Sequence, residues 1–258
     1  MSTPAAATHA ALPAPAVPRL RAVPPLPPLP RPAAGPATTA LWWARLLRRG
    51  PGPTEYSLVG VNSGRFPDGT PVDMTAVDAR GRRPEGWQVD VRHRATDGRV
   101  LRVEVAPELS DRCPPLWFAE VSHATSAVPA VSLLAFRGAA FRPGALVRPH
   151  EVAAAGVRVA DRVAEVRWWI RSGLVDTVTV ESPYRGRGVA RTLVTAAEGL
   201  RFQRGWAPLR SDGRLTDVGA AWLATAPPAW APRLAARTEV LPDADAEEEL
   251  TGVARLLR

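Results

Sequence analysis

The chain of 258 residues contains no lysine, one cysteine (Cys113), two tyrosines (Tyr56 and Tyr184) and four histidines. Each scarcity excludes something. A single cysteine rules out an internal disulfide framework and a cysteine-rich metal site. His9, His93, His123 and His150 are scattered without metal-ligand spacing, so no metal centre is expected. Without lysine there is no Gly-Lys-Ser/Thr ending of a phosphate-binding P-loop. No apolar run reaches membrane-spanning length. No acidic residue precedes Glu55, whereas Arg19, Arg21, Arg31, Arg45, Arg48 and Arg49 all do. The net charge of +8 and pI near 11.2 point first to nucleic acid, but without those six arginines the remainder carries 8 − 6 = +2. A basic face on a folded domain, and with it nucleic-acid binding, is therefore not expected.

What is abundant at the start is proline and alanine. Residues 1–40 form an Ala/Pro-rich tail that includes VPPLPPLPRP at 23–32. Proline fixes its own φ and donates no amide hydrogen bond, so this tail is expected to be extended and disordered. Prolines interrupt its apolar stretch and no basic residue leads it, unlike a secretory signal; a cytoplasmic location is expected. Its PxxP spacing, flanked by Arg21 and Arg31, suits the aromatic groove of a protein partner; a solvated tail is the plainer reading. Next, TALWWARLLRR at 39–49 reads as a short amphipathic helix, with Trp42 and Trp43 near its apolar side.

The length and the 46% hydrophobic content allow one or two globular domains with a substantial core. Residues 41–235 are expected to be folded, with a β-rich part over 54–125. Within it WQVDVRHR at 87–94 alternates strictly, Thr96-Asp97-Gly98 is a hairpin turn, and Val100 to Val105 alternates again. Leu116 to Ser122 and Val131 to Arg137 fit strands or short helices equally. Residues 149–155 predict a helix ending near Gly156, Val157 to Asp161 a strand, and AEVRWWIR at 164–171 another. The final segment, 236–258, is acidic and reads as a solvated face.

The chain is organised around LVDTVTVESPYRGRGVARTLVTAAEGL at 174–200. β-Branched residues dominate Val175 to Val180, which predicts a strand. A turn through Ser182-Pro183-Tyr184 leads to Arg185-Gly186-Arg187-Gly188, and apolar residues then recur at helical spacing: Val189, Leu193, Ala196, Ala197, Leu200. Glycines let backbone approach a ligand, and the unpaired N–H groups and dipole of a helix start favour an anion. The alternative is a tight connection in which the glycines serve packing. The dinucleotide fingerprint does not fit, because Arg191 stands where its third glycine belongs.

What fits is R-x-x-G-x-A, formed by Arg185, Gly188 and Ala190 after a V-x-V strand. VTVESPYRGRGVARTLV resembles the pyrophosphate-binding motif of the GNAT superfamily of acyl-CoA N-acyltransferases. The resemblance spans residues 157–226, the acyl-CoA-binding part being 150–226. It implies an α/β (α+β) fold with a mixed, largely antiparallel central sheet flanked by helices. A strand over Ala207 to Ser211 and a helix capped by Thr216 follow in that scheme. The cosubstrate would be acetyl-CoA and the reaction N-acetyl transfer to an amine, on a small molecule or a protein.

By motif position, the resemblance puts the backbone of Val178 and Val180 against the thioester. The turn of Arg185, Gly186, Arg187, Gly188, Val189 and Ala190 would hold the pyrophosphate. Oriented amides of this kind stabilise developing negative charge. A carboxylate would take the amine proton, with Glu181, Asp176 and Glu165 as candidates beside the plainer reading of exposed strand carboxylates. The tyrosine that many members use as the acid is missing, since none follows Tyr184, and Ser211 and Thr216 are poor substitutes. That departure supports a second expectation, a non-catalytic binding or interaction protein with the same fold. VEVAPELSDRC at 103–113 faintly echoes VTVESPYRGRG at 178–188, as a degenerate half without a phosphate site would.

Overall fold

The computed structural model of the chain describes residues 41–48, 54–76, 81–123, 128–226 and 234–241. The Ala/Pro-rich tail and the acidic end beyond residue 241 lie outside the described residues. The first described segment corrects an expectation: Leu41–Arg48 is a strand (β1), not a helix. Both of its faces are buried. Trp42, Ala44 and Leu46 join Val59, Val61, Phe66 and Val72, whereas Trp43 enters a second cluster and stacks on Phe202 with ring centroids 4.1 Å apart. An apolar run buried on both sides carries no period that separates strand from helix, so pairing with neighbouring strands decides.

The architecture is mixed α+β and built on two five-stranded, mostly antiparallel sheets rather than the single sheet expected. The first comprises β1, β2 (Glu55–Asn62), β3 (Pro71–Asp73), β4 (Trp87–Arg94) and β5 (Val100–Val105), in the order β3-β1-β2-β4-β5. The second comprises β6 (Trp117–His123), β7 (Ala130–Phe136), β8 (Leu146–Val147), β9 (Ala164–Trp169) and β10 (Val175–Val180), in the order β8-β6-β7-β9-β10.

These two orders are the same order. In each sheet the short third strand runs parallel to the first, and all other neighbours are antiparallel. The registers agree residue by residue at a constant offset of 117 − 42 = 75: Trp42 faces Val61 as Trp117 faces Phe136, and Ser57 faces Arg92 as Ser132 faces Arg167. The bulge of the last strand repeats as well, with Leu101 and Asp176 the unpaired residues of β5 and β10, whereas the one at Gly60/Val61 has no counterpart between β7 and β9. At that offset the sequence itself matches in patches: LWWA at 41–44 with LWFA at 116–119, and VLRVEV at 100–105 with VDTVTV at 175–180. Residues 41–113 and 116–188 are thus two copies of one unit. The echo noted at 103–113 is the end of a full-length repeat.

The copies part after their last strand. Each makes one 3-10 turn, Pro107–Leu109 and Ser182–Tyr184. The first then runs through Pro114-Pro115 into β6, since consecutive prolines withhold two amides and disfavour a helix. The second enters α2 (Val189–Gln203), which touches β2, β4 and β5 of the first sheet and β7, β9 and β10 of the second. Every residue from Leu193 to Arg201 is buried. At Gly199 the helix runs so close to β4 that an added Cβ would lie 2.7 Å from both Val89 Cγ2 and Val91 Cγ2.

Shorter elements complete the fold. A helix, α1 (Pro149–Ala154), forms where expected, but Val159–Asp161 is a 3-10 turn instead of a strand. The strand expected over Ala207 to Ser211 shrinks to one parallel bridge, Arg210 with Leu174. Thr216 caps α3 (Asp217–Ala224), its Oγ1 accepting from Gly219 N at 3.0 Å. The two-residue strands β11 (Arg214–Leu215) and β12 (Glu239–Val240) pair in parallel. No described helix is long and apolar enough to cross a membrane.

One titratable group in the first sheet carries a pH prediction. Burial beside Tyr56 holds the His93 imidazole below its ordinary value of 6.5, with weaker opposing help from the Val91 backbone. The unfolded chain then binds the proton more readily than the folded one, so stability falls as pH drops below that value. His93→Phe is expected to flatten this part of the stability–pH curve, measured by urea unfolding between pH 7 and 5 at roughly half-unit steps.

Candidate functional site

The two copies supply matching sheet edges, and among the described residues they are covered differently. At the edge of β5, Val103 N donates to Gly144 O at 2.7 Å. Gly144 and Ala145 are bonded on their other side to residues 116–118, so this segment closes the edge and joins the sheets. The residue equivalent to Val103 is Val178 in β10. Here Glu181 N donates inward to Val163 O at 3.0 Å, so by strand alternation Thr179 also faces β9, and the N–H groups of Val178 and Val180 point outward. Across from them the chain pairs with β10 at its beginning alone, where Val175 N donates to Arg210 O at 2.9 Å. Beyond that point, among the described residues, no backbone pairs with the edge, and Arg185 Nε caps the Val180 carbonyl.

The turn after β10 carries a second set of donors. Gly186 and Gly188 take φ of +69° and +75°, a region that glycine adopts without strain. Among the described residues, none accepts a well-formed hydrogen bond from the backbone N–H groups of Gly186 through Arg191. Thr192 is the first to donate back, to Gly188 O at 3.0 Å. Arg187 is exposed, and Arg185 folds back so that its Nε donates to Val180 O at 3.0 Å. The first copy cannot present this surface: it has Asp111 where the second has Gly186, and prolines at the positions of Val189 and Ala190.

The first copy instead buttresses the second. Its Ser110 fills the space beside Gly188, and Arg191 Nη1 donates to Leu109 O at 3.3 Å. The same guanidinium reaches Thr225 O at 2.9 Å, beyond α3. Cys113 is half-buried next to this turn, and burial pushes its thiol up from the ordinary value, which disfavours a reactive thiolate.

The three candidate carboxylates have different surroundings. Asp176 is the bulged residue and pairs with Arg167, whose Nε donates to Oδ2 at 2.6 Å. Glu181 is exposed and leads into the 3-10 turn. Glu165 lies on β9 directly across from Thr179, the residue between the two outward amides. Its Oε1 accepts from Ser132 Oγ at 2.7 Å, and Ser132 Oγ lies 2.9 Å from His123 Nε2. Neither Ser132 nor His123 stood out in the sequence; reading it at the 75-residue offset would have paired Ser132 with Ser57. Among the described residues, no group of His, Cys, Asp and Glu is placed to hold a metal ion. Comparison with protein-family models, with curated proteins and with solved structures returns no match to this chain.

Proposed function

We propose that the second copy binds acetyl-CoA along the open edge of β10 and transfers the acetyl group to an amine. The observation that supports this is a pair of free backbone donor sets, one on β10 and one on the turn that follows it. The outward amides of Val178 and Val180 form one set and the unpaired amides of Gly186 to Arg191 the other, with the 3-10 turn of Ser182–Tyr184 between them. An extended amide-bearing arm pairs with the first set, and a pyrophosphate with the second, where helix dipole and bare N–H groups act together. Such an arm attached to a pyrophosphate is the shape of coenzyme A, in keeping with the GNAT resemblance of this segment. With the thioester at the open edge, its carbonyl is polarised by an amide that needs no reorganisation as charge develops.

The missing tyrosine leaves a thiolate to be protonated by water, and it also keeps a second reading in play. A non-catalytic protein would use the same edge to bind the cosubstrate without turnover. Ligand binding is tested first, by thermal unfolding of the full chain with acetyl-CoA. At about a hundredfold over its dissociation constant the ligand is expected to add about 2.7 kcal/mol of stability. S-acetylpantetheine, which keeps the arm and lacks the pyrophosphate, is the control and should shift melting far less. No shift with millimolar acetyl-CoA would refute the proposal.

A further inference from the structure

The repeat offers an internal comparison at the candidate base. At the offset of 75, the trio Arg48, Ser57 and Asp90 of the first copy corresponds to His123, Ser132 and Glu165 of the second. In the first copy the carboxylate is sealed. Arg48 Nη2 and Arg83 Nε both lie 2.7 Å from Asp90 Oδ2, Arg48 Nε also donates to Ser57 Oγ at 2.8 Å, and the Asp90 side chain is 1% exposed. Arg83 is further tied to Glu104. Both guanidiniums contact Oδ2, and Oδ1 is buried without a hydrogen-bond partner, so neither oxygen faces solvent, which suits a structural tie rather than proton transfer.

In the second copy each of those locks is undone. Histidine replaces Arg48 and is too short to bridge both groups; it reaches Ser132 and stops. Arg158, the counterpart of Arg83, turns outward to Asp161 and is 80% exposed. Glu165 is left 22% exposed. The remaining cation, Arg162, has its Nε 3.3 Å from Oε2 but is not aligned to donate a hydrogen bond.

Hydrogen-bond bookkeeping then fixes the direction of the chain. A carboxylate only accepts, so the single hydroxyl proton of Ser132 is committed to Glu165 Oε1. The Ser132 oxygen must therefore accept from His123, and the imidazole carries its proton on Nε2. His123 orients the serine, the serine pins Oε1, and Oε2 accepts no hydrogen bond from the described residues, its one close cation being the misaligned Nε of Arg162.

We propose that His123 and Ser132 are positioning residues that hold the Glu165 carboxylate for proton transfer from the acceptor amine. This rests on the acetyl-transfer reading above and selects Glu165 over Asp176, whose Oδ2 accepts a hydrogen bond from Arg167, and over Glu181, which has no positioning partner among the described residues. The amine lone pair forms the C–N bond at the thioester carbonyl, and the proton released from nitrogen goes to Glu165 Oε2. The C–S bond breaks with its electron pair on sulfur, and the thiolate takes a proton from water. Glu165 returns its proton to solvent before the next turnover.

The test uses the full chain, with thiol release from acetyl-CoA and ethylamine as the acceptor, in wild type, Glu165→Gln, Ser132→Ala, His123→Phe and His123→Gln. Melting shifts with acetyl-CoA are recorded for all five. Glu165→Gln is expected to lower kcat by about 10²- to 10⁴-fold with the KM for acetyl-CoA unchanged. Ser132→Ala and His123→Phe should each lower kcat roughly tenfold, the loss of one orienting hydrogen bond. His123→Gln, whose side-chain amide can donate to Ser132, should recover most of the rate lost in His123→Phe. Full activity in Glu165→Gln, equal rates for the two His123 variants, or no thiol release by a wild type that still responds to acetyl-CoA would each overturn the assignment. Absence of the melting shift in wild type would instead remove the reading on which it rests.

Discussion

Gly188→Ala is expected to abolish the melting shift that acetyl-CoA gives the wild type. Two effects add. The residue sits at φ +75°, where a Cβ costs about 1–2 kcal/mol. That Cβ would also overlap Ser110 Oγ and lie 2.9 Å from Ser110 Cβ, so the start of α2 must move away from the first copy. The amides on either side move with it, and the pyrophosphate cradle loses its shape. Gly186→Ala separates the two causes, because it takes φ +69° with nothing within 4 Å of its added Cβ. It should weaken the shift without removing it. Ser110→Gly placed in the Gly188→Ala background clears the overlap and should restore part of the response. A full melting shift in Gly188→Ala, read by scanning calorimetry, would count against the turn as the anion site.

The largest loss of stability is expected from Glu198→Leu. Glu198 and Arg201 form an ion pair one turn apart on α2, with side chains 1% and 6% exposed in the middle of the molecule. The remaining charge of a broken buried pair has no water to turn to, and such losses run to about 3–5 kcal/mol. Removing both charges together, as Glu198→Leu with Arg201→Met, avoids the stranded cation and should recover most of that loss. Urea unfolding of the two single variants and the double variant makes the cycle. A double variant as unstable as Glu198→Leu would show that the helix needs the charges for another reason, such as the stacking of Arg201 over Phe202 at 5.5 Å.

Two features of the fold explain these sensitivities. The helix that carries the candidate anion site also packs against both sheets, so its first turn and its buried middle belong to the same element. The first copy, which continues into β6 where the second enters α2, contributes Ser110 and Leu109 to support the start of that helix. In physical terms the two halves have divided the work. One edge is closed by Gly144 and Ala145 to make a continuous structure, and its equivalent is paired, among the described residues, at its beginning alone.

Local chemistry determined much of this from sequence. β-Branched residues at Val175 to Val180, positive-φ glycines at 186 and 188, and an apolar period from Val189 specify strand, turn and helix within short windows. The structure has β10, the turn and α2 there. Thr216 likewise caps its helix because a hydroxyl and an N–H three residues apart need nothing else. Long-range pairing decided the rest. Leu41–Arg48 became a strand because both its faces are covered, and no window of eleven residues contains that information. The repeat was visible as one faint echo because a sheet position constrains burial and alternation far more than identity: Trp43 and Phe118, or Asp90 and Glu165, meet the same demand with different residues. The trio His123, Ser132 and Glu165 is drawn from three strands adjacent in space and up to 42 positions apart in the chain (165 − 123). Sequence spacing holds no trace of such a contact, since only sheet register brings those side chains within hydrogen-bond reach.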